Sequence, residues 1–160
     1  MNSIRIPNVD NVRLSESHSK ELTASGTSRD AVIAAGVYTE SDPVRVGELL
    51  NWSGPAPALG SCLVYPYLDV GGRPTGYHRL KPSTPRSSKK KEDKGEKIKY
   101  EAPRGDPNRL YIPPGTRSLL ADPSVDLVVT EGEKKCLSAD AAGFPCLSAP
   151  GVWAWQKKRV

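Results

Sequence analysis

The residues best placed to do chemistry are Thr130, Glu131, Gly132 and Glu133. They follow the apolar run Leu127, Val128, Val129 and lead into Lys134, Lys135 and Cys136. A carboxylate on a tight strand-to-helix turn, beside a residue with no side chain, leaves room for a metal ion or a phosphate. The carboxyl end of a parallel strand is also where open α/β sheets place their ligands. Thr130 and Glu133 have capping-box spacing, and acidic residues at a helix N-terminus complement its dipole, so these two need no functional explanation. Glu131 followed by Gly132 is not explained that way.

Other kinds of site find less support. No G-x-x-x-x-G-K-[ST] loop occurs, which excludes a P-loop ATPase module within these residues. No Ser-His-Asp or Cys-His arrangement is present, and two histidines, His18 and His78, are too few for the usual zinc sites. Cys62, Cys136 and Cys146 are odd in number, widely spaced and without a Cys-x-x-Cys pair, which points to buried free thiols.

Charge supplies the second signal. The chain of 160 residues carries a net +5. From Arg73 to Arg109 there are 12 Lys or Arg against 5 Asp or Glu, a local +7, and the remainder, with 11 basic and 13 acidic residues, stands at −2. A basic middle of this kind is an electrostatic footprint for a polyanion. Part of it, SSKKKEDKGEKIK, reads equally as a solvated loop, and residues 83–97 are expected to be flexible. Tyr77, Tyr100 and Tyr111 offer faces on which bases stack, or they pack inside. Trp153 and Trp155 are read as core or interface residues.

The elements that must position these residues change character along the chain. Residues 1–54 read as short helices. SHSKELTASG ends at Gly26, TSRDAVIAAG has Thr27 and Asp30 at cap spacing and stops at Gly36, and SDPVRVGELLNW has Asp42 as cap with Pro43 at the first turn. Residues 55–115 begin as a hairpin, with two strands in SCLVYPYLDVGGRPTGYHRLKP around a Gly-Gly turn. Pro66 there asks for an edge or a bulge. IKYEAP and RLYIPP follow as extended pieces. Residues 116–160 contain DLVV, a strand of the type buried on both faces, a helix GEKKCLSADAAG with Cys136, Leu137 and Ala141 on one side, and a strand FPCLSAP. Strand, helix and strand make a βαβ unit. The fold class is therefore α+β: a small helical N-terminal part, a basic subdomain containing a β-hairpin, and a first βαβ.

The order of LVYPYLDVGGRPTGYHRLK, KIKYEAP, RLYIPP and LVVTEGEKKCLSADAAGFPCLSAPG resembles the catalytic core of bacterial replicative primases. The last piece looks like the start of a TOPRIM domain, and the TEGEKK…GVWAW form is similar to a domain of unknown function in phage and plasmid replication proteins, often linked to helicase or primase modules. The resemblance covers roughly residues 15–159. It implies that Glu131 is a general acid or base in nucleotidyl transfer and a magnesium ligand. It also implies that Arg79, Lys81, Lys99 and Tyr100 contact single-stranded DNA, and that a replicative helicase module is a partner. Two departures matter. Lys135 or a neighbour occupies the region where such primases carry an Asp, and no Asp-x-Asp pair follows to complete the metal site. One carboxylate does not assemble a two-metal phosphoryl-transfer centre. The Mg²⁺ of complete relatives is thus not expected to bind tightly to this chain.

The leading expectation is a truncated, primase-like protein of a mobile element, cut off after its first βαβ. A second reading is a non-catalytic module that binds single-stranded nucleic acid, and a third is a bland interaction domain. No apolar run approaches the ~18 residues of a membrane span, and the N-terminus lacks a signal-peptide layout, so the sequence reads as cytoplasmic. A βαβ of this length cannot cover both faces of a parallel sheet and must lean on the hairpin or stay partly open.

Overall fold

The computed structural model describes residues 13–88 and 95–151. The tryptophans at 153 and 155 and the centre of the basic run fall outside that description.

Three short helices open the fold. α1 (Glu16–Ala24) is capped by Ser15, whose side chain accepts from the His18 N–H. α2 (Arg29–Ala35) is capped by Ser28, one residue beyond the expected Thr27, and ends at Gly36 with φ 66°. The Thr27 hydroxyl is instead drawn 2.8 Å from the Ser138 hydroxyl, across 111 residues of sequence. α3 (Pro43–Leu49) starts with Asp42 as cap and Pro at its first turn, and it buries Val46 and Leu49, with Leu50 following them inside. Gly47 is required there, because a Cβ would stand 2.3 Å from the Gly54 carbonyl oxygen.

Between α2 and α3 lies a strand that the helix-cap pattern hid, β1 (Tyr38–Glu40). It pairs antiparallel with β2 (Cys62–Leu68), which pairs antiparallel with β3 (Pro74–Pro82). The helical N-terminal part thus contributes the outer strand of the hairpin's own sheet. β2 is buried nearly throughout because both faces are covered. Leu63, Tyr65 and Tyr67 face a core shared with Leu22, Val32, Tyr77, Tyr111 and Leu137. Cys62 and Val64 face the other, with Val46, Leu50, Leu59 and Leu80. Pro66 sits beyond the end of β1, where its missing N–H costs no ladder bond, and a bulge falls between Pro66 and Leu68. At the turn the Asp69 carboxylate accepts from the Arg73 backbone at 2.9 Å.

The flanks of the expected flexible loop 83–97 are paired where they are described. Ser87 bridges Lys97, and the Arg86 side chain clasps Glu101 through two bonds of 2.6 and 2.9 Å. The extended pieces are held by single bridges, Leu80 to Glu101 and Tyr111 to Ser148. A four-residue helix, α4 (Pro114–Arg117), follows. Its Thr116 hydroxyl donates to Asp140 and accepts from the Cys146 N–H, tying it to the last unit.

That unit is β4 (Val128–Glu131), α5 (Glu133–Ala141) and β5 (Cys146–Ala149), with β4 and β5 parallel and in register. α5 buries Cys136 and Leu137, while Ala141, expected on the same side, is exposed. The strand read as covered on both faces is not: Val128 is 47% and Val129 69% exposed. Among the described residues β4 pairs only with β5, so the unit leans on the hairpin on one side and stays open on the other. No helix among the described residues is long and apolar enough to cross a membrane.

Candidate functional site

Glu131 ends β4 and is exposed, and Gly132 follows with φ 86°, a left-handed conformation that turns the strand into α5. Gly132 is the N-cap and supplies no side-chain bond, and Thr130 lies within the strand, so the capping box read from the sequence does not form. The Glu133 side chain has gone elsewhere. It is fully buried, and its Oε1 accepts from the Tyr67 hydroxyl at 2.6 Å and from Arg79 Nη1 at 3.0 Å. The helix that begins at the Glu131 turn is thereby fastened to both strands of the hairpin.

This fastening relocates Arg79, which is only 7% exposed. Residues 77, 79 and 81 of β3 share the face of Leu63 and Tyr65, and that face is covered by α1 from one end of the chain and α5 from the other. The Arg79 guanidinium lies 4.9 Å from the centre of the Tyr100 ring, placed to interact with its π-face. Lys81 pairs with Glu21 of α1, and Lys134 reaches the same Glu21 oxygen at 3.0 Å. Burial works against the charge on Glu21, but the two ammonium groups outweigh it and hold its carboxyl below the ordinary value. Lys99 is exposed. Tyr100 is partly buried, and burial pushes its hydroxyl well above the ordinary tyrosine range. Of the four expected strand contacts, then, Arg79 and Lys81 face the helices, Tyr100 is held against Arg79, and Lys99 points to solvent.

Tyr77 and Tyr111 are buried and belong to an aromatic cluster with Tyr65 and Tyr67, packed edge to face at centroid separations of 4.8 to 6.3 Å. They serve packing, not stacking. Arg109 lies over the Tyr77 ring at 5.4 Å. Glu133, Glu21, Tyr67 and Glu101 are not legible as partners in the sequence, because each of these bonds joins residues that only the fold brings together.

The magnesium expected in complete relatives can be tested against the donors present. Among the described residues no group of three or more His, Cys, Asp or Glu could hold a metal ion. Glu133, two residues from Glu131, is fully buried and bound through Oε1 to Tyr67 and Arg79. A lone exposed carboxylate does not fit a phosphoryl-transfer metal, which takes several acidic or phosphate oxygens.

This arrangement, with helices ahead of an antiparallel hairpin and a parallel βαβ leaning on it, is an α+β fold. Among solved structures it is similar to the DnaG catalytic core, with a TM-score of 0.53 and 16% sequence identity, over 86% of this chain and 48% of that one. The chain therefore spans about half the length of that structure. No family model matches it, and no curated protein matches it.

Proposed function

We propose that the chain is a TOPRIM-type, primase-like domain of a replication protein from a phage, plasmid or other mobile element, and that it engages single-stranded DNA. The observation that carries this is a primase-like fold whose segment 97–109 exposes Lys97, Lys99, Arg104 and Arg109. Lys99 and Tyr100 are the proposed strand contacts. Lys81 and Lys134, each just over a quarter exposed, add positive charge beside them. Arg79 acts from inside by fixing the Tyr100 ring. A helicase module of the same replication system is the proposed protein partner.

The donors favour one form of this reading over the other. With Glu131 alone at the turn, strand binding needs no metal and accounts for the residues present, whereas nucleotidyl transfer needs further carboxylates. Glu131 is proposed as the general acid or base and magnesium ligand only where those carboxylates join it.

Fluorescence anisotropy of a labelled oligo-dT across a salt series tests the proposal. Four exposed cations that neutralise about four phosphates give a slope of log K against log salt of about −3 for a single strand. Lys99→Ala should flatten the slope by about 0.7. No binding at low salt, or binding indifferent to salt, would sink the reading.

A further inference from the structure

A cavity of about 390 Å³ opens between α1 and α2, away from the Glu131 turn in sequence and built from other elements. Its size is in the range of small-molecule sites. Arg13 and Arg29 line it with Ser19, Thr23 and Thr27, beside the half-buried apolar side chains of Leu14 and Ile33. No acidic residue lines it.

Four cations held against the core are matched: Arg79 by Glu133, Lys81 and Lys134 by Glu21, Arg86 by Glu101. Arg13 and Arg29 have no ion pair among the described residues, and the side chains of Ser19 and Thr23 have no hydrogen bond among them. Thr27 is the exception. Its hydroxyl is committed to Ser138 of α5, so one wall of the cavity is tied to the helix that follows the Glu131 turn. Two guanidinium groups and two hydroxyls without partners among the described residues offer donors to an oxyanion, and guanidinium groups match phosphate and carboxylate geometry. An apolar floor adds affinity only for a ligand that brings an apolar body.

We propose that this cavity is a binding site for a small organic oxyanion, a phosphate or carboxylate head held by Arg13 and Arg29 with an apolar body laid over Leu14 and Ile33. The site is independent of strand binding and of Glu131.

The test is calorimetric titration of the full chain with phenyl phosphate, benzoate and inorganic phosphate at about 150 mM salt, where diffuse attraction is screened. Phenyl phosphate or benzoate should bind more tightly than inorganic phosphate, and whichever binds better names the head group. Arg29→Gln and Arg13→Gln, at exposed positions, should leave the circular dichroism and melting temperature of the free chain unchanged and weaken binding about tenfold or more, the loss of a charge-assisted bond. No heat from either organic ligand at about 10 mM, roughly tenfold above a 1 mM Kd, overturns the proposal. Equal affinity for inorganic phosphate overturns the organic-ligand assignment, and unchanged affinity in both arginine variants overturns the site.

Discussion

Replacing Glu133 by Gln is the sharpest probe of how the βαβ unit is fastened to the hairpin. Gln keeps the size of the side chain and an oxygen for Tyr67 and Arg79, but it strips the negative charge from beside a guanidinium that is 7% exposed. Removing one partner of a buried ion pair costs about 3–5 kcal/mol, mostly because the other charge stays buried and unmatched. The Tyr100 face 4.9 Å from Arg79 offsets part of that, by about 0.5–2 kcal/mol. The expected cost is therefore about 3 kcal/mol, a fall in melting temperature of roughly 6–12 °C for a chain of this size. Urea denaturation followed by circular dichroism and tryptophan fluorescence should show a lower midpoint with an unchanged slope. The triple variant Tyr67→Phe, Arg79→Met, Glu133→Leu removes every polar group at once and should recover most of the loss, because an apolar replacement of a buried pair is often neutral or stabilising. A Glu133→Gln cost within about 0.5 kcal/mol of zero, the range of an ordinary surface substitution, would refute the reasoning. So would a triple variant as damaged as the sum of its parts.

Three further outcomes follow from the same geometry. His18 and His78 are buried, and burial lowers both imidazole pKa values below 6.5. The unfolded chain then takes up more protons than the native one below that pH, so stability is full above about 6.5 and falls on acidification; His78→Gln should flatten that fall, and a profile level between pH 7 and 5.5 would contradict it. Cys62, its thiol pushed by burial up to about 12, and Cys136, also buried, should react with a thiol reagent only as fast as the chain unfolds, and rapid native labelling of either would show the core to be open. Magnesium titrated into the chain should bind no tighter than about 1 mM, worth about −4 kcal/mol, and without nucleotide transfer; micromolar binding abolished by Glu131→Gln would reveal a more complete site than one carboxylate.

The sequence by itself determined what is local. Helix caps and stops are chemistry between neighbours, so Asp42 with Pro43, Gly36 and the Gly-Gly turn placed three helices and the hairpin close to where they stand. The demand of Pro66 for a bulge was legible for the same reason, as was the βαβ order around Glu131 and Gly132. Tertiary structure decided whatever depended on which surface meets which. β1 is too short to announce itself, and it exists because β2 offers it an edge. Arg79 and Lys81 were expected to meet a DNA strand, yet α1 and α5, more than a hundred residues apart, close over their face of β3 and supply Glu21 and Glu133 as counter-charges. Glu133 looked like a helix cap because the cap partner is three residues away, while its true partners are 54 and 66 residues away. Local periodicity reports which side of an element is polar. Only the fold decides whether that side meets water or an opposite charge.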